Sequence, residues 1–456
     1  MGASPPDRDG HDIPEDSRPT ATGISKNDLA RRAPCKSVTT GRAGGMRKAP
    51  ERGRNTSSTR KRVNHRCFKI HSLARRACNK KVNHVEPIEL MRTEELTSVP
   101  NDQDDTRPPP QVVVKFVARG HQTNRIWRRQ LPSQEPAWGN CRFVLDPDAT
   151  DYDWFVVHDD LPPGGSERFS LRTERLSCDP QNTILFTLEP ASIKVYGSDY
   201  LAQFGHVITS QEPWVMRSHT GAEFAQPCLR WFYGVSDHKL LNYDDLCAAR
   251  PPKKTELIST VCSHKNQANT LHRRRFDFTQ ELRSALPTLD VFGRGVRPID
   301  DKAEAIDEYR YHVTIENHVF KHHWTEKLAD AFLGYCLPFY CGAPNAADYF
   351  PSESLIPIDI HDPGRAIATI QKAIRDDEYT KRLPYIIEAR RRVLDEHNIF
   401  AVIDNVVNRT APTHQVSLRD GILRSRRALR RHDPVRMIRY LYERVRVKTA
   451  HRWRAA

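Results

Sequence analysis

The 456-residue chain has no apolar run near the roughly 18 residues that a membrane-spanning helix needs. Nor does Met1–Gly10 offer a basic stretch followed by an apolar one, so neither a spanning helix nor a secretory signal is expected. Its 10 cysteines are thinly scattered and form no CxxC pair. That excludes a zinc ribbon and a disulfide-stapled scaffold, and predicts free thiols in a reducing compartment. Hydrophobic residues make up only 38% of the chain and prolines number 32, so part of it is expected to stay unpacked.

The net charge of +14 suggests nucleic acid only until its distribution is examined. Through Pro108 there are 22 Lys and Arg against 14 Asp and Glu; from Arg419 onward there are 13 against 3, so the stretch between carries a net −4. A nucleic-acid enzyme concentrates positive charge along its central groove, and this chain places it at the two ends. No specific nucleic-acid partner is expected.

Residues 1–108 mix Ser, Thr, Arg, Gly and Pro without apolar periodicity and read as a disordered basic region. Order is expected from Val112–Val117, a β-branched run, with similar strand-like runs at Arg142–Leu145, Trp154–Val157, Thr183–Leu188 and Val207–Thr209. Arg250-Pro251-Pro252-Lys253-Lys254 interrupts the pattern as a linker. A second series follows, with strands at Leu257–Val261, Leu289–Phe292, Tyr311–Ile315, Cys336–Tyr340 and Leu355–Ile358, and helices around Phe276–Leu286 and Trp324–Leu333. Strands alternating with helices predict an α/β architecture of two Rossmann-like domains, 109–250 and 251–404, facing a cleft. Residues 405–456 form a basic helical tail in which Met437, Leu441 and Val445 recur at helical spacing among Arg436, Arg439, Arg444 and Arg446. Two readings stay open: the stripe docks on the enzyme, or the 419–456 segment makes peripheral contact with an anionic membrane.

The chemistry concentrates between Tyr309 and Phe332. A strand there ends in Glu316-Asn317, a loop follows, and a helix opens at Thr325-Glu326-Lys327. Thr325 is a good N-cap, and the helix start offers free amides and partial positive charge that suit a diphosphate. Lys327 adds a full positive charge, Asn317 an amide donor, and Glu326 a carboxylate able to accept from vicinal hydroxyls. Taken alone, these residues also fit caps and surface charges.

These residues resemble the signature of glycosyltransferase family 10, the fucosyltransferases. In that family a FEN segment precedes a short loop, then TEK, an apolar helix and a Gly…Pro…Gly stretch. Here the corresponding residues are Ile315-Glu316-Asn317, Thr325-Glu326-Lys327, and Gly334, Pro338 and Gly342. Asp290–Gly295 is similar to the family's glycine turn, and His272-Arg273-Arg274-Arg275 places Arg275, with Arg273 as alternative, on its phosphate-binding arginine. The resemblance implies that Asn317, Lys327 and the arginine hold the donor diphosphate and that Glu326 holds the ribose. His323 stands where the family often has a tyrosine two residues before Thr325.

The resemblance also implies a GT-B-like fold and inverting transfer of L-fucose from GDP-fucose to a glycan acceptor, with α1,3 linkage to N-acetylglucosamine. No cofactor or divalent metal is predicted, because Arg and Lys can stabilise the leaving diphosphate. The base is expected to be Glu189, which follows the Thr183–Phe186 strand; Asp159, Asp160 and His158 are rivals. Other readings are the same architecture with another nucleotide sugar, or a basic nucleic-acid or anionic-surface binding protein with an inactive core. A cytoplasmic or peripheral-membrane location is expected rather than an anchored Golgi one.

Overall fold

Two parallel sheets organise the computed structural model, which describes residues 112–119, 124–165, 167–216, 219–262, 271–410 and 421–455. The expectation for 1–108 lies outside these residues. The first sheet contains β1 (Val112–Ala118), β2 (Ala137–Trp138), β3 (Cys141–Val144) and β4 (Trp154–His158). After β5 (Thr173–Arg175) it continues with β6 (Thr183–Phe186), β7 (His206–Thr209) and β8 (Ala222–Phe224). Their order is β2-β3-β1-β4-β6-β7-β8, parallel except for β2 against β3.

The second sheet holds β9 (Glu256–Val261), β10 (Leu289–Phe292), β11 (Tyr309–Ile315), β12 (Leu337–Cys341) and β13 (Ile356–Pro357), in the order β10-β9-β11-β12-β13. All of its pairings are parallel. Every residue of β4, β6 and β12 is buried, as expected for parallel strands covered on both faces. In both sheets the first parallel strand lies between the second and the third, so the chain reverses direction beside it. That reversal opens a crevice at the strands' carboxyl ends: between β1 and β4 in one sheet, and between β9 and β11 in the other.

The sheets are joined at several buried points. Arg129 donates to the carbonyls of Leu241 (2.7 Å), Trp231 (3.1 Å) and Tyr233 (2.8 Å), and Asp330 accepts from the amides of Phe232 and Tyr233 (3.0 Å each). Lys254, in the segment read as a linker, is buried and donates to Ile306 O at 3.1 Å. Helix Ile399–Arg409 returns to the first sheet, where Phe400, Ile403 and Val406 pack with Phe116 and Phe143.

Beyond it, β14 (Ile422–Arg424) pairs antiparallel with β5, and helices Arg426–His432 and Pro434–Ala455 follow. The long helix does dock on the body, but not by the apolar stripe of the sequence reading. Glu443 accepts from Ser198 N at 2.9 Å, Arg439 pairs with Asp199 at 2.5 Å, and Val447 is buried beside Ala191 and Val195. Met437, Leu441 and Val445 stay exposed, together with Val435, Ile438 and Tyr442. No helix among the described residues is long and apolar enough to cross a membrane.

Among the described residues four histidines are buried: His158, His312, His318 and His323. Burial pushes His158, His318 and His323 down to about 4, and His312 to about 3. Above pH 6.5 all four are neutral in both folded and unfolded chains, and they cost nothing. Below it the unfolded chain binds protons that the folded chain refuses, so stability falls until the folded values are reached. Each such proton is worth about 1.4 kcal/mol per pH unit, so four approach about 5 kcal/mol per unit, the scale of a whole domain's stability. The melting temperature is therefore expected to collapse between pH 6 and 4.5. Proton uptake on unfolding near pH 5.5, measured by calorimetry in buffers of different ionisation enthalpy, should be several protons; near-zero uptake refutes this account.

Candidate active site

The crevice between β9 and β11 gathers most of the residues singled out in the sequence. Glu316 directly follows β11 and is fully buried. Its carboxylate accepts from Thr325 N at 2.9 Å and from Thr325 Oγ1 at 2.7 Å. Glu316 thereby fixes the start of helix Glu326–Leu333, whose N-cap Thr325 accepts from Lys327 N at 3.4 Å. Leu328, Ala331 and Phe332 bury the other side of that helix, as their spacing predicts. Gly342 faces this arrangement: a Cβ there would lie 2.7 Å from Glu316 Cγ and 2.2 Å from the Tyr340 hydroxyl, so only glycine fits.

Lys327 Nζ lies 3.0 Å from Glu326 Oε1, 3.3 Å from Glu316 Oε2 and 3.1 Å from Thr325 Oγ1. Burial disfavours its charge, but the two carboxylates more than offset this and raise the ammonium above its ordinary range. Burial likewise opposes ionisation of Glu326, yet Lys327 and Lys302 hold its carboxyl at about 2. Both are therefore charged at neutral pH, an ion pair at the amino end of a helix.

Arg275 spans the crevice. One Nη donates to the carbonyl of Val261, the last residue of β9, and the other to Asn317 Oδ1 at 3.2 Å. The Asn317 amide nitrogen has no partner among the described residues and remains available as a donor. Arg274 is tied to Ile360 O at 2.7 Å, and Arg273 is exposed. Of the two arginine candidates, only Arg275 is bonded into the crevice. His323 is buried and lies 2.9 Å from Ser210 Oγ, just after β7, so it links the two sheets. A cavity of about 550 Å³ adjoins the group, lined by Gly342, Asp359 and His361 among others. This cavity left no signal in the sequence, because its walls come from loops after different strands.

The first-sheet candidates differ in how far they are committed to other partners. Asp159 is buried with a positive φ of 80° at the end of β4. It pairs with Lys194, accepts from Tyr196 Oη at 2.6 Å and lies 3.6 Å from Arg119. Burial opposes its charge, but Lys194 and Tyr196 prevail and its carboxyl is lowered. Asp160 is buried, accepts from Arg426 N at 3.1 Å, and is raised by burial. The His158 ring meets Cys228 O at 3.1 Å, a structural contact.

Glu189 is exposed, and its carboxylate has no hydrogen-bond partner among the described residues. The surrounding protein and Asp159 raise its carboxyl, while Lys194 and Lys327 pull it down and Glu326 adds to the rise. Electrostatically it therefore faces the Glu326–Lys327 pair from the opposite sheet.

A family model described as "Glycosyltransferase family 10 (fucosyltransferase) C-term" matches residues 251–383. Among solved structures, the chain is similar to an alpha1,3-fucosyltransferase at 18% identity, covering 63% of this chain and 84% of that one, with a TM-score of 0.36. An alpha1,3-fucosyltransferase with GDP-fucose gives 17% identity, 67% and 93% coverage, and a TM-score of 0.36. TarM gives 7% identity, 50% and 54% coverage, and a TM-score of 0.33. No curated protein matches.

Proposed function

Because residues 251–383 match the model for the C-terminal domain of glycosyltransferase family 10, the fucosyltransferases, we propose that the chain transfers L-fucose from GDP-fucose to a hydroxyl of a glycan acceptor, α1,3 to N-acetylglucosamine, inverting the anomeric carbon. One observation carries this reading: a charged lysine held between two carboxylates, beside an arginine that bridges the crevice. In this reading the diphosphate lies against Lys327, Arg275 and the Asn317 amide, and Glu326 accepts from the ribose hydroxyls. Glu316 and Thr325 position Lys327, and His323 ties this wall to the first sheet through Ser210.

Glu189 takes the acceptor hydroxyl's proton as its oxygen attacks the fucose anomeric carbon. The bond to the β-phosphate oxygen breaks with its electron pair leaving on GDP, and Lys327 and Arg275 stabilise the charge that develops there. Those two cations fill the role a divalent metal has elsewhere, so no metal is required. Purified protein given GDP-fucose and N-acetylglucosamine-terminated acceptors should release GDP and yield a fucosylated product. Release from another GDP- or UDP-sugar, with none from GDP-fucose, defeats the donor assignment.

The exposed stripe Val435, Ile438, Tyr442 and Val445, flanked by Arg436, Arg439 and Arg446, suits an anionic membrane surface. Co-sedimentation with phosphatidylserine vesicles should occur at low salt and weaken on Ile438→Asp/Val445→Asp. Equal binding by that variant rules the stripe out.

A further inference from the structure

A second cavity, of about 850 Å³, lies between the first sheet and the two C-terminal helices, and Glu189 forms part of its wall. Seven cations line it: Arg119, Lys194, Arg426, Arg427, Arg430, Arg431 and Arg444. Against them stand only Asp160 and Glu189. Even with Asp159, which neutralises Lys194 and Arg119 from behind, four positive charges are left over. None of Arg426, Arg427, Arg430, Arg431 and Arg444 has a carboxylate within ion-pair distance among the described residues.

These arginines are nevertheless held in place. Arg427 sits over the Phe169 ring at 4.7 Å and Arg430 over Tyr440 at 4.2 Å. Arg426 is more than nine-tenths buried and donates to Val195 O at 2.8 Å. An anion in the cavity would meet guanidinium charge that no carboxylate among the described residues pairs. The excess charge also shows in Arg430, which burial and the neighbouring Arg426 lower from its ordinary value. Phe169 (42% exposed) and Ile193 (39% exposed) add apolar surface to the same wall, suited to the face of a sugar ring.

We propose that this cavity binds the acceptor through a negatively charged substituent, a sulfate or phosphate ester or a carboxylate, so that the acceptor glycan is an acidic one. The inference rests on the assignment of Glu189 as base, since Glu189 is where this cavity meets the donor wall. It also gives the tail a function: its helices complete the acceptor site, and the basicity of this end of the chain serves substrate recognition.

The test is calorimetric binding to the GDP-loaded protein, which requires no turnover, of one N-acetylglucosamine-terminated disaccharide in neutral, 6-sulfated and 6-phosphorylated forms. At least one anionic form should bind about tenfold more tightly than the neutral one, as a charge-assisted arginine contact provides. The preference should disappear in Arg427→Gln/Arg431→Gln/Arg444→Gln, whose three residues are exposed. It should persist when Arg283, Arg375 and Lys381, exposed elsewhere, are changed to Gln. Equal affinity for all three sugars overturns the proposal, as does equal loss in both triple variants. So does a cavity variant that loses only phosphatidylserine vesicle binding, which would assign the anion to lipid headgroups. Failure of GDP-fucose turnover with retained anion preference would instead count against the fucosyl-transfer reading.

Discussion

Lys327→Met is expected to lower kcat/KM for GDP-fucose by about 10²–10³, the cost of removing one group aimed at a developing anion. An ammonium has three donors, and in this structure Lys327 Nζ directs them at Thr325 Oγ1, Glu326 Oε1 and Glu316 Oε2. When a diphosphate binds, at least one of these contacts gives way to a phosphate oxygen. The lysine is thus stored charged and ready to pair. Methionine keeps the length of the side chain and abolishes that function.

The substitution also removes the ion-pair partner of buried Glu316, an imbalance that can cost on the order of 3 kcal/mol of stability. Melting temperature is therefore measured beside activity, with Lys327→Arg as partner variant. The arginine should restore the melting temperature through its charge, while its broader, planar head only partly recovers kcat/KM. Folded Lys327→Met retaining transfer within tenfold of the parent would remove Lys327 from the mechanism.

What could be read from the sequence follows from the range over which each signal acts. The run Leu289–Phe292 forms a strand with the expected bounds, and Trp154–Val157 is extended only by His158, because alternating backbone and β-branched burial are local properties. Helix Glu326–Leu333 starts where Thr325 caps it, two residues inside the expected Trp324. The Glu316–Thr325 clamp is separated by only nine residues, and the motif carried it into the structure intact.

Longer-range geometry was not legible. Nothing in His272-Arg273-Arg274-Arg275 says which arginine turns toward the crevice; that depends on Val261 and Asn317, which the sheet order brings together. The docking face of the tail was hidden for the same reason. Periodicity identified its apolar stripe, but the docking face is set by Ser198, Asp199 and the pocket around Ala191, 245 residues away by the Ser198–Glu443 pairing. The cavity lined by Arg426 and Arg430 depends on that docking and could not be foreseen without it.

Glu189→Gln should lower kcat by about 10²–10⁴ while leaving GDP affinity within about twofold, because a base acts on the acceptor proton and not on the nucleotide. The choice of Glu189 over its rivals rests on free lone pairs. Asp159 has Oδ1 occupied by both Lys194 and Tyr196 and Oδ2 facing Arg119 at 3.6 Å, and its lowered carboxyl is a poor proton acceptor. Asp160 is raised but accepts from Arg426 N, Tyr200 Oη and Leu161 N. Only Glu189 combines an unengaged carboxylate, a raised carboxyl and exposure to the donor wall.

The raised value has a visible consequence. A base must be unprotonated, so the acid limb of the kcat profile should turn down at a pH above the ordinary glutamate range near 4.3. Protonation of Glu189 by falling pH and its replacement by glutamine remove the same function, so the residual activity of Glu189→Gln should lack that limb. The profile must be taken above the pH at which the buried histidines begin to unfold the chain, with circular dichroism recorded at each point. Glu189→Gln with parental kcat, or with a lowered kcat but an unchanged acid limb, transfers the role to another carboxylate, and Asp160→Asn is then the variant that should show the loss.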